Sequence, residues 1–96
     1  MIREIAHIRI RVGHGQAFEQ AVAQARALFG RAKGCTSMQL HRSIEEPLRY
    51  TLVVQWDSVE DHMVHFRQSD DFQQWRALVG DHFDGAPEVY HIHQVL

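Results

Sequence analysis

Between positions 62 and 75 the chain reads HMVHFRQSDDFQQW, which puts two histidines, two phenylalanines and a tryptophan close together. An imidazole exchanges protons near neutral pH, so His65 is a candidate general base. Phe66, Phe72, Trp75 and Phe83 can wall an aromatic pocket, although the same residue types more often simply fill a core. Arg76 either holds an anionic oxygen of a substrate or lies solvated near a helix C-terminus.

Histidine spacing also raises metal binding. His62 and His65 are three apart, and His91 and His93 share one side of a strand, both feasible ligand spacings. With eight histidines in the chain such pairs arise by chance, and no cysteine pair or carboxylate signature supports them, so no metal is expected. Neither GHG (13–15) nor VGDHFDG (79–85) has the pattern of a nucleotide-binding glycine loop or a Walker A lysine, so no nucleotide or flavin cofactor is expected. Cys35 is the only cysteine, which excludes an internal disulfide and suits a small packed residue better than a nucleophile.

Ninety-six residues, 45% hydrophobic and 23% charged, make one small ordered domain spanning 1–96. Ten basic against twelve acidic residues, with no basic run, argue against nucleic acid as a partner. No apolar stretch approaches the roughly 20 residues that span a bilayer, and the opening MIREIAHIRIRV alternates like a strand rather than a secretion signal. A cytoplasmic location without membrane contact is the expectation.

The elements that must position these residues follow from periodicity. Ile2, Ala6, Ile8, Ile10 and Val12 occupy even positions and Arg3, His7, Arg9 and Arg11 odd ones, a strand whose alternation Glu4 and Ile5 interrupt. Phe18, Val22, Ala25, Phe29 and Ala32 mark one helix face, with Gly34 as its stop. Cys35–Ile44 and Arg49–Trp56 read as a hairpin across EEPL. Ser58, with Asp61 three residues on, opens a second helix whose inner stripe would be Val59, Met63 and Phe66, with His62 beside it. Ser69 recaps the helix before Phe72, Trp75 and Val79. Glu88–Val95 is a last strand, with either Val89 and Val95 or Tyr90 and Ile92 on the outer face. The order β-α-β-β-α-β predicts an α+β, ferredoxin-like fold, a four-stranded antiparallel sheet covered by helices on one face. The other face would carry residues such as Ile5, too apolar for water, so a second copy of the chain is the natural cover.

With that plan laid out, EIAHIRIRVGHGQAFE, QWDSVEDHMVHF and FRQSDDFQQWRALVG resemble the antibiotic biosynthesis monooxygenase domain family, dimeric α+β barrels, along the whole chain. Trp56 ending a strand, His65 nine positions later and the Ser69 restart before Phe72 carry the likeness. About one residue more than the common pattern separates His65 from Phe72. The resemblance implies a homodimer with a pocket between helices and sheet, and cofactor-independent oxidation of a small aromatic phenol or quinol. His65 would be the catalytic base, with Phe66, Phe72, Trp75, His62 and Arg76 around the substrate. The alternatives are a non-catalytic dimeric binder of small molecules and an isomerase of small hydroxy-carbonyl compounds. The haem-degrading relatives use an asparagine, a tryptophan and a histidine whose positions fall here on Ala6, on His65 or Phe66, and on Arg76. Haem degradation is therefore not expected.

Overall fold

A computed structural model describes all residues, 1–96. Its elements are β1 (Ile2–Arg9), α1 (Gly15–Gly30), β2 (Cys35–Arg42), β3 (Arg49–Trp56), a π-helical turn (Asp61–Phe66), α2 (Asp70–Val79), a short 3-10 turn (Gly80–His82) and β4 (Glu88–Ile92). The sheet is antiparallel in the order β2-β3-β1-β4, the ferredoxin-like arrangement that the alternation and helix spacing predict. Three strands are shorter than expected. β2 ends at Arg42 rather than Ile44. β1 ends at Arg9, beyond which only an isolated bridge pairs Ile10 with Phe83, and β4 stops at Ile92 rather than Val95.

The pleat decides what each strand residue meets. Ala6, Ile8, Tyr50, Leu52, Val54 and Trp56 point under the helices into one core, where Phe18, Val22, Ala25 and Phe29 from α1 join Phe66, Trp75 and Val79. In the β1–β4 register Glu4 stands opposite His91 and Ala6 opposite Val89, so His91 and Val89 belong to this covered face. Tyr90 and Ile92, opposite Ile5 and Arg3, belong to the open one, which decides between the two outer-face pairs.

Both serine caps form. The Ser58 hydroxyl accepts the Asp61 N–H at 3.1 Å, and Ser69, with extended ψ, accepts the Phe72 N–H at 3.2 Å. Between them the structure corrects the expected inner stripe. Val59 and Met63 are exposed, and the buried residues are Asp61, His62 and Phe66. A π turn accompanies the change: the Arg67 N–H bonds the His62 carbonyl at 3.1 Å, an i to i+5 step that rotates the residues after it relative to an α-helix. Gly34 makes the approach possible from the other side. Its φ of 80° turns the chain into β2, and a Cβ there would collide with the Asp61 carboxylate.

Candidate active site

A cavity of about 670 Å³ lies between the helices and the β1–β4 side of the sheet. Its floor is Glu4, Ala6, Ile8 and Leu52. Phe72, Trp75, Arg76 and Val79 from α2 form one wall, with His62 and Arg67 beside them, and Phe83 to Pro87 closes toward Val89. A smaller cavity of about 230 Å³ between α1 and β2 holds no histidine, and its Tyr50 hydroxyl is engaged with Glu19 at 2.6 Å.

Four of the residues expected at the site therefore meet at one cavity: His62, Phe72, Trp75 and Arg76. Phe83 joins them. Phe66 does not line it; the ring is 3% exposed and packs on Phe29, Trp56 and Phe72 as core. His65 is outside the lining as well. Its Nδ1 bonds the Asp61 carboxylate at 3.0 Å, and its side chain is 40% exposed. That bond, followed by one from Ser58, holds the Asp61 carboxyl below its ordinary range despite some desolvation. His65 thus ties its own helical turn, while His62 points inward.

The group missed from the sequence is Glu4. A carboxylate on the inward side of β1 looked like a break in alternation, yet the strand is regular there and pairs Glu4 with Val54 and His91. Glu4 is 5% exposed. Its Oε1 accepts the Trp56 indole N–H at 3.1 Å and lies 3.2 Å from His62 Nε2. Burial pushes its pKa from 4.5 up to about 7, against the weaker opposing effects of the Trp56 hydrogen bond and the Arg67 charge. No protein group bonds Oε2, and no buried side-chain oxygen or nitrogen lacks a partner, so Oε2 is open to the cavity.

His62 is equally dry at 4% exposed, stacked on Trp56 with ring centroids 5.3 Å apart and planes 19° from parallel. Burial, then the charges of His91 and Arg67, lowers its pKa from 6.5 to about 4, so it is neutral at physiological pH. Its Nδ1 meets His91 Nε2 at 2.8 Å, and burial also lowers the His91 pKa. Because His62 uses opposite ring nitrogens for Glu4 and His91, the three groups form a chain rather than converging on one point as metal ligands would. Chemically, the arrangement offers a carboxyl that exchanges a proton near neutrality, backed by a neutral imidazole and facing an aromatic-walled cavity with two arginines.

Known proteins show the same architecture. The antibiotic biosynthesis monooxygenase family profile matches residues 1–78. A Bordetella bronchiseptica crystal structure bearing that family's name is 58% identical, with a TM-score of 0.98 over 99% of this chain and 97% of that one. The uncharacterized Bacillus subtilis (strain 168) protein YczJ is 37% identical over 95 residues, 99% of this chain and 100% of that protein. A Caulobacter crescentus CB15 structure of the same family name shares the fold at 24% identity, with a TM-score of 0.84 over 99% of this chain and 90% of that one. The chain belongs to the antibiotic biosynthesis monooxygenase family. That membership supports a monooxygenase-like function, and no helix of the chain is long and apolar enough to cross a membrane.

Proposed function

We propose that this chain is a cofactor-independent monooxygenase-like oxidoreductase that oxidises a small aromatic phenol or quinol, with Glu4 as the general base and His62 as its partner. The observation that carries the reading is the Glu4 carboxyl, raised to about 7 and presenting a free Oε2 to a cavity walled by Phe72, Trp75 and Phe83. A base whose pKa lies near the working pH combines an available lone pair with useful proton affinity. Removing the hydroxyl proton gives an aryloxide that can pass electrons to dioxygen. In the overall reaction a ring C–H becomes C=O, one oxygen atom enters the product, the other leaves as water, and the substrate supplies all the electrons. Arg67 and Arg76 at the cavity suit the developing anion. The base role expected of His65 thus passes to groups in the cavity, and the histidine of the proposal is His62. We further propose that two copies pair through the open sheet face.

Oxygen uptake with a naphthoquinol tests the reading and separates it from an isomerase or a binder, neither of which consumes oxygen. Glu4→Gln keeps the shape and should lower turnover by roughly 10²- to 10⁴-fold, the usual scale of general-base loss. His65→Ala should change it by less than about threefold, because that ring lies outside the cavity. A folded Glu4→Gln protein with unchanged uptake would refute the assignment.

A further inference from the structure

The buried carboxyl has a route to water, and the route runs through two imidazoles. Glu4 Oε1 is 3.2 Å from His62 Nε2, and His62 Nδ1 is 2.8 Å from His91 Nε2. Glu4 and His62 are almost fully buried, whereas His91, on the edge strand β4, is only partly covered. His91 Nδ1 has no protein partner, and since no buried polar side-chain atom goes unpartnered, that nitrogen is open to solvent.

Glu4 Oε1 and His62 Nε2 stand within hydrogen-bond distance but not in aligned hydrogen-bond geometry; once a small rotation aligns them, a neutral imidazole, with one N–H and one lone pair, serves both contacts in two arrangements. With Glu4 protonated, its O–H donates to His62 Nε2, His62 Nδ1–H donates to His91 Nε2, and His91 carries its proton on Nδ1. With Glu4 ionised, the chain reverses: His91 Nε2–H donates to His62 Nδ1, His62 Nε2–H donates to the carboxylate, and His91 Nδ1 is bare. In both, the Trp56 N–H supports Oε1. The first becomes the second when three protons each move one place: carboxyl to His62 Nε2, His62 Nδ1 to His91 Nε2, and His91 Nδ1 to water. One proton leaves, one negative charge remains on Glu4, and neither ring becomes an imidazolium.

We propose that His62 and His91 form a proton relay that empties and refills the buried Glu4, with His91 Nδ1 as its port to solvent. The inference rests on the base role of Glu4 for its use in turnover, but the relay itself is independent of any substrate. The surroundings suit tautomer exchange rather than charging. Trp56 stacks on His62, burial disfavours a cation on either ring, and Arg67 repels one at His62. The other ionisable groups around Glu4 are Arg67 and Arg76 at the cavity and the Cys35 thiol, which burial chiefly, and Glu4 in small part, push upward.

Nitrogen-15 NMR of the imidazoles in the intact protein reads the tautomers directly. On titration from pH 5 to pH 9, His62 should pass from Nδ1–H to Nε2–H with a midpoint near that of the Glu4 carboxyl. The population ratio should invert by orders of magnitude, about tenfold for each pH unit away from the midpoint. In Glu4→Gln the switch should vanish. His91→Phe should slow naphthoquinol turnover, and added free imidazole should restore it, which loss of a merely structural contact would not allow. A His62 fixed in one tautomer across this range, or one that charges to imidazolium near pH 6.5, would overturn the relay. Glu4→Gln inactive beside such a fixed His62 would leave the base assignment standing and remove only the relay. A switching His62 with Glu4→Gln fully active would do the reverse.

Discussion

The two faces of the sheet carry similar polar side chains in opposite circumstances. On the open face His7 bonds Thr51 through Nδ1 at 3.2 Å and Tyr90 through Nε2 at 3.0 Å. Under the helices His62 likewise uses both nitrogens, toward Glu4 and His91. What separates them is water. The Tyr90 contact is exposed, whereas the Glu4–His62 contact is sealed by Trp56, and there burial raises the Glu4 pKa to about 7 and lowers that of His62 to about 4. Residue type and spacing nominate many histidines in this chain; desolvation beside a cavity is what sets His62 apart from His7.

The largest effect that tests this contrast is loss of packing on the covered face. Phe66→Ala removes a ring held between Phe29, Trp56 and Phe72 and should cost about 3 to 5 kcal/mol, while Thr51→Ala on the open face should cost under about 1 kcal/mol. Urea unfolding of both variants measures the gap. Equal costs would mean that the open face is as tightly packed as the core.

Next in size is the dependence of stability on pH. Glu4 has a folded pKa raised above its unfolded value, so it favours folding fully below 4.5, and that advantage is lost as pH rises through about 7. His62 has a lowered one, so its contribution is full above 6.5 and is lost as pH falls toward about 4; His91 acts in the same direction. Between pH 4.5 and 6.5 the slopes oppose each other, because folding moves a proton from imidazole to carboxyl with no net uptake. The wild-type curve should therefore be nearly flat in this window. His62→Asn should expose the Glu4 slope, with stability falling by up to about 3 kcal/mol from pH 4.5 to 7. Glu4→Gln should instead gain stability as pH rises from about 4 to 6.5. Asp61 and Asp71, lowered by His65 and Arg31 respectively, titrate below 3.8 and stay outside this window. Parallel curves for the two variants would show that the pair is not coupled to folding in this way.

Much of the scaffold was legible in the sequence because it rests on local periodicity. Alternation marked β3 from Arg49 to Trp56, and Ser58 and Ser69 marked the caps. The cavity-facing α2 residues followed from the helical spacing of Phe72 and Trp75, with Arg76 beside them. Glu4 did not follow, since its neighbours His62 and His91 are 58 and 87 positions from it in the chain and only the β1–β4 register brings His91 opposite it. The visible signal was a charge at an inward strand position, where a lone carboxylate is costly unless paired. On an ideal helix His62 already lay nearer the Val59, Met63 and Phe66 stripe than His65, about 60° from it against about 120°. The choice of His65 over it came from the family resemblance rather than from helix geometry.

The smallest effect on folding, and the sharpest use of the contrast, concerns association. Ile5 is already 9% exposed on the open face, but Tyr90 and Ile92 remain 41% and 42% exposed on β4, and their rows continue across β1. Apolar residues grouped on a sheet face are better covered by a second copy than by water, and a chain of 11.2 kDa gains core that way. Light scattering at micromolar concentration should then report about twice 11.2 kDa. Ile92→Asp puts a charge where a partner would sit without touching the covered core, so the isolated chain should lose no more than about 0.5 kcal/mol, the usual scale for exposed positions. Its scattering mass should fall to that of one chain while its circular dichroism stays native. If the wild-type protein is itself a stable monomer, the open face is a finished surface, and the apolar residues on it need another explanation than pairing.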